Sequence, residues 1–247
     1  MGNPTGRPAA IAALWITDRQ EANPIDPGQN CGVSQSPGPA ARLGAALWVV
    51  QPVSLLVEIL TAARVTTPYS FLDNTISDLG VTRCGTVEYR FGPVPVCSPW
   101  HDLMNVSFVA LGVFLAVGAL LLCRRLGTGV AGRVAIGLWV VAGLGSVGTG
   151  LVPLDRDVDL HVLVSMPVLI AQPLAVLALG LAVRRAHPGL ARSALVVGAV
   201  SVAGAVAFLA RVDTPDLGGL FERLALWPGY LWLPAAALTL LGHRRAR

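Results

Sequence analysis

The sequence has no lysine: all 18 of its Lys+Arg positions are arginine. With abundant alanine, glycine and valine, that usage points to a GC-rich bacterial genome. Charge of either sign is scarce. Only 13% of the 247 residues are charged, against about 25% in ordinary soluble domains. With 54% hydrophobic residues and a mean hydropathy of +0.65, the chain has more apolar surface than a soluble core can bury. Lipid is therefore the expected solvent. The N-terminus lacks a signal-peptide layout, because no basic region feeds a long apolar core. Its only apolar run, "AAIAALWIT", is too short to span a bilayer. Residues 1–40, rich in Pro, Gly, Asn and Gln, are expected as a disordered tail.

Six stretches have the length and apolarity of a spanning helix, about 20 residues. They lie at about 42–63, 102–123, 132–153, 161–183, 193–211 and 221–242. The expected fold is an all-α integral membrane protein. Its six transmembrane helices form one domain over residues 41–243, with a long first outer loop at 64–101. Acids are missing from three connecting segments. "CRRLGTGVAGR" carries Arg124, Arg125 and Arg133, "RRAHPGLAR" carries Arg184, Arg185 and Arg192, and the C-terminal tail carries Arg244, Arg245 and Arg247. All fall on one side of a six-span layout. The positive-inside rule makes that side, with both termini, cytoplasmic. The net charge of +4 thus reports topology in a multi-pass cell-membrane protein and does not imply a nucleic-acid partner. Ten of the 14 acids, with His101 and His161, fall on the other, extracytoplasmic side.

Cys84 and Cys97 both lie in the outer loop, where oxidising conditions favour a disulfide. Such a bond would contribute roughly 3 kcal/mol by chain entropy; a thiolate metal pair is the alternative. In "YSFLDNTISDLG", residues 69–80, Leu72, Ile76 and Leu79 form an apolar stripe at helical spacing. Asp73, Asn74, Ser77 and Asp78 occupy the other faces, and Gly80 can end the helix. The segment is expected to form a short extracytoplasmic amphipathic helix of two turns.

Three further stretches flank the spans. In "CSPWHDLMN", Ser98 suits a helix N-cap and Pro99 the first helical position, which leaves His101 and Asn105 unexplained on one face. In "GLVPLDRDVDLHVL", Asp157 or Asp159 can cap the fourth span, and Asp157 and His161, four apart, bring carboxylate and imidazole to one face if the helix starts early enough. The spacing is not the H-E-x-x-H of zinc proteases. In "RVDTPDLGGLFERL", Asp213, Asp216, Glu222 and Arg223 can pair among themselves, and Arg223 is the residue suited to bidentate grip of an anion. Glu58 sits a turn or more inside the first span, where a carboxylate needs a partner; His161, Arg64 and Arg223 are the candidates.

These stretches, "YSFLDNTISDLG", "VCSPWHDLMNVSFVALG", "GLVPLDRDVDLH" and "GLFERL", resemble the uncharacterised bacterial membrane family catalogued as domain of unknown function 998. The resemblance covers roughly residues 42–242 and rests most on the Y-S…N-x-I-S-D-L-G element. It implies a six-helix membrane protein with these motifs at one end, and it brings no established activity. The matching positions are Tyr69, Ser70, Asn74, Ser77, Asp78, His101, Asn105, Asp155, His161, Glu222 and Arg223.

The expected function is an outward-facing polar site that binds or processes a lipid or lipid-linked substrate, by hydrolysis or group transfer. His101, His161, Asp78 and Asp155 are the candidate catalytic residues. Ser77, Asn74, Asn105, Tyr69, Glu58 and Arg223 are the candidate substrate-binding residues. His101 and His161 are also the candidate ligands should a zinc ion be used. Membrane lipids are the expected partners. Two alternatives stand beside this reading: a transporter or small-molecule-binding membrane protein, favoured by Glu58, and a non-catalytic accessory protein whose polar motifs lock the fold.

Overall fold

The computed structural model describes residues 37–126, 129–211 and 214–242. The expected disordered tail over 1–40 lies almost wholly outside the described residues, as do Asp213 and the C-terminal arginines.

Six helices are long and apolar enough to cross a membrane. The first is split. Pro39 opens α1 (Pro39–Val49) at a position where its missing N–H costs nothing, and Pro52 then stops it, because its ring opposes the carbonyl four residues back. The chain bends and resumes as α2 (Val53–Ala62). Side chains repair the break: Gln51 Nε2 donates to the Leu47 and Leu111 carbonyls at 3.2 and 3.3 Å, and Ser54 Oγ donates to the Gln51 carbonyl at 2.8 Å. The other spans are α3 (His101–Leu121), α5 (Val130–Leu151), α6 (Val158–Val183), α7 (Pro188–Ala210) and α8 (Gly218–Gly242). One further turn, α4 (Cys123–Leu126), follows α3.

Successive spans pack side by side, and α1 touches both α3 and α8, which closes the ring. α6 also reaches α8 across it. Without a hydrophobic force between helices in lipid, close packing must hold them. Small residues provide it: a Cβ on Gly112 of α3 would sit 2.5 Å from the Gly143 carbonyl oxygen of α5, and the converse holds at the same distance. Trp48 fills the gap between α1, α3 and α5. Its Nε1 donates to the Leu115 carbonyl at 3.2 Å and its ring lies 5.3 Å from that of Trp139. Leu56, Val106, Leu144, Leu163, Val196 and Leu238 point outward and exposed, as lipid-facing residues do.

The long loop at one end departs from expectation in two ways. It contains a β-hairpin that the apolar patterns did not suggest, β1 (Gly85–Tyr89) paired antiparallel with β2 (Gly92–Val96). Pro93 and Pro95 alternate along β2, so their missing N–H groups share one side and the ladder runs through Gly92, Val94 and Val96. The Cys84–Cys97 disulfide closes the base of the hairpin, as expected. Second, 69–80 is no two-turn α-helix. It is a series of turns ending in one 3-10 turn, Ser77–Gly80. Its own polar side chains compete for the backbone: Ser70 N–H donates to Asn74 Oδ1, Leu72 and Asp73 N–H to Ser70 Oγ, and Thr75 N–H to Asp78 Oδ2.

Candidate functional site

The first six residues of "YSFLDNTISDLG" clamp α8. A helix start leaves N–H groups without partners. Here the loop supplies them: Leu217 N–H donates to Asp73 Oδ1 at 3.0 Å, Gly219 N–H to the Asp73 carbonyl at 3.1 Å and Leu220 N–H to the Leu72 carbonyl at 2.8 Å. Gly219 permits the approach, since a Cβ there would lie 2.8 Å from the Phe71 carbonyl oxygen. The Leu217 and Ser70 donors hold the exposed Asp73 carboxyl below its usual pKa. In return α8 holds the loop. Glu222 Oε2 accepts the Ile76 N–H at 2.6 Å. Arg223 Nη1 donates to the Phe71 and Asn74 carbonyls, both at 2.8 Å, and Nη2 to Tyr69 Oη at 2.6 Å. Arg223 Nε donates to Glu58 Oε1 at 2.8 Å, and Trp227 Nε1 to Glu58 Oε2 at 2.9 Å.

Of the three candidate partners for Glu58, Arg223 is the one it has. Arg223 is only 5% exposed, and four of its five N–H donors are engaged within the protein. The grip on an external anion that the sequence suggested for Arg223 is therefore already filled by the chain. Tyr69, expected to bind substrate, accepts from Arg223; burial raises its phenol pKa.

Asp78 points into the protein. Its carboxylate accepts from Asn74 Nδ2 at 3.1 Å and Thr75 N–H at 2.9 Å, and the Tyr89 hydroxyl of the hairpin donates to its other oxygen. Burial pushes the Asp78 carboxyl above the usual carboxylate range although all three donors pull it down. Burial, with the Asp78 charge behind it, likewise raises the Tyr89 phenol. Asn74, another expected substrate contact, is occupied here.

Ser77 and His161 meet. Ser77 Oγ lies 2.9 Å from His161 Nε2, and His161 Nδ1 lies 2.6 Å from the Val152 carbonyl oxygen. A carbonyl only accepts, so Nδ1 carries a proton. In the neutral ring Nε2 then offers its lone pair to the Ser77 hydroxyl. Val152 caps α5, so its oxygen is one of the carbonyls that a helix end leaves free. His161 is buried and Ser77 half-buried.

The remaining expected residues hold the loop elsewhere. Asp155 accepts from Thr82 N–H at 2.9 Å and Thr82 Oγ1 at 2.8 Å. Asn105 Nδ2 donates to the Gly80 carbonyl at 2.8 Å. His101 sits half-exposed at the start of α3, with Nδ1 2.9 Å from the Ser98 carbonyl oxygen and Nε2 3.4 Å from Asp102 Oδ1. Ser98 does not cap α3, whose N-cap is Trp100; its hydroxyl donates to the buried Leu79 carbonyl at 2.8 Å and ties the loop to the start of α3. Asp157 does cap α6, accepting from Leu160 N–H. His101 and His161, the expected zinc ligands, belong to separate hydrogen-bonded sets. Among the described residues no three His, Cys, Asp or Glu side chains gather to hold a metal ion.

Sequence reasoning missed Tyr89, Thr75, Trp227 and the Val152 carbonyl. Trp227 had a signal, since it lies four residues after Arg223 on the same helical face. The period-2 alternation of "TVEY" could have placed Tyr89 on a strand. A backbone carbonyl has no sequence signal.

A family model described as protein of unknown function (DUF998) matches residues 36–239. No curated protein and no solved structure matches the chain.

Proposed function

We propose that this chain, which belongs to the DUF998 family of proteins of unknown function, is a membrane-embedded hydrolase or acyltransferase acting on a lipidic ester. Ser77 is the nucleophile and His161 its base. The observation that carries this reading is the Ser77–His161 hydrogen bond together with the Val152 carbonyl that fixes the imidazole from behind. A nucleophile, a base in hydrogen-bond reach and a third group orienting the base form the general pattern of covalent catalysis. A backbone carbonyl here takes the orienting place that a carboxylate fills in the Ser-His-Asp triad.

In the reaction Ser77 Oγ attacks the ester carbonyl while its proton passes to His161 Nε2. Collapse of the tetrahedral adduct returns that proton to the departing alkoxide and leaves an acyl-serine. Water or an acceptor alcohol then resolves the acyl-serine by the same steps in reverse. Positioned base catalysis of this kind contributes about 10²–10⁴-fold. The depth of the site favours a lipid. His161 lies in the first turn of α6, at one end of a candidate span, and Leu160, Val162 and Leu163 beside it are exposed apolar side chains suited to contact with lipid. The arginine asymmetry supports an extracytoplasmic placement for this end of the bundle. Asp78, Asp155, Asn105 and Arg223 are positioning residues in this reading, since they hold the segment that carries Ser77.

A second reading is favoured by how fully Arg223 and Asp78 are engaged: Ser77–His161 is one more clasp, and the loop end is a structural lock. A fluorophosphonate probe separates the two. On the full chain in detergent, the catalytic reading expects covalent labelling at Ser77, abolished in Ser77→Ala and reduced at least 10²-fold in His161→Gln. Thermal unfolding would be followed alongside. Folded protein that takes up no probe overturns the catalytic reading and leaves the clasp, with Ser77→Ala costing about 1 kcal/mol of stability.

A further inference from the structure

The end of the bundle opposite the long loop presents Arg124 and Arg125 on α4, Arg133 on α5, Arg184 and Arg185 after α6, and Arg192 on α7. No Asp or Glu accompanies them among the described residues. The positive-inside rule accounts for arginines at such an end, but it does not call for a receptacle beneath them. One is present. A groove of about 290 Å³ lies between the start of α5 and the end of α6, lined by Gly129, Val130, Ala131 and Gly132 on one wall and by Leu181, Ala182, Arg184 and Arg185 on the other.

The two walls differ in chemistry. Arg184 and Arg185 are exposed and pair with no acid among the described residues. The facing wall is made of small residues, and the first turn of α5 contains no acidic residue to occupy the groove. At the rim, Val130 and Leu181 are exposed apolar side chains. A ligand that satisfies the whole groove therefore carries a compact negative group at one end and hydrocarbon at the other. Basic recesses between spanning helices at the headgroup level suit that chemistry, and the guanidinium fork matches phosphate oxygens.

We propose that this groove binds the phosphate of an anionic phospholipid, held by Arg184 and Arg185, with its acyl chains against Val130 and Leu181. The site is independent of the Ser77 reading and lies at the other end of the bundle.

The test is native mass spectrometry of the full chain in detergent, titrated with dioleoylphosphatidylglycerol or dioleoylphosphatidylcholine. Wild type is expected to retain phosphatidylglycerol over phosphatidylcholine. A surface basic residue contributes on the order of five-fold in affinity, so Arg184→Gln/Arg185→Gln should weaken phosphatidylglycerol binding roughly 30-fold. Arg192→Gln, on the same face but outside the groove, should leave binding unchanged. Inorganic phosphate should not displace the lipid. Equal retention of the two lipids by wild type overturns the proposal, as does undiminished binding in the double variant. An equal loss in Arg192→Gln overturns it in favour of diffuse charge, and displacement by inorganic phosphate in favour of a free-anion site.

Discussion

Arg223→Met tests how the loop end is held together. In the Glu58–Arg223 pair the side chains are 3% and 5% exposed and 2.8 Å apart. Removing one partner of a buried pair costs about 3–5 kcal/mol, because the other charge is left in a dry site. The Phe71 and Asn74 carbonyls also lose their donor, at about 1–3 kcal/mol each if they stay dry. They lie near the end of the bundle, where water can reach them, so the lower figure applies. The variant should lose about 5–7 kcal/mol, comparable to the whole stability of many domains. Glu58→Leu/Arg223→Met removes both charges and should recover part of that loss. It cannot recover all, because Trp227 Nε1 and the two carbonyls still lack partners. A double-mutant cycle by thermal unfolding in detergent, with proteolysis of residues 63–76 as a local readout, should therefore give a coupling of at least about 2 kcal/mol. Single variants within about 1 kcal/mol of wild type, or effects that add, would refute the argument that this pair fastens the loop to α8.

Two further outcomes are expected. Burial raises the Asp78 carboxyl pKa, so its contribution to stability is greatest below its unfolded value of about 4 and is lost as pH rises through the raised one. The thermal midpoint should decline over that range, and Asp78→Asn, which keeps the shape without the charge, should flatten the decline; parallel profiles would refute the assignment. Cys84→Ser/Cys97→Ser opens a bond spanning 13 residues and should cost the hairpin roughly 3 kcal/mol. Rapid proteolytic nicking between residues 82 and 99 with unchanged helicity is the expected signature, and a protease-resistant hairpin would sink the idea.

The spans were legible because their cause is local. Twenty apolar residues make a span whatever their neighbours do, and the six helices lie within a few residues of where hydropathy puts them. Glu58 was legible for a related reason: a carboxylate inside a span needs a cation, and few were at the right depth. The segment 69–80 obeys the opposite logic. Its Leu72, Ile76, Leu79 stripe has helical spacing, and Ile76 and Leu79 are indeed buried while Leu72 is exposed. Spacing fixes which residues are inward without fixing the backbone that turns them there. In so short a stretch a few side-chain bonds outweigh helix propensity. The deciding partners, Glu222 and Arg223, lie about 150 residues away in sequence: 146 separate Ile76 from Glu222, and 149 separate Asn74 from Arg223. Ser77 and His161 illustrate the same limit at 84 residues. Each was visible as a polar residue near a span end, and the two became a pair only when the 3-10 turn faced α6. The density of Ser, Asn and Asp in this segment was the readable sign. It marked a backbone whose hydrogen bonds are made by side chains, and such a backbone can fasten α2, α3, α6 and α8 together at one end while presenting a serine at the junction.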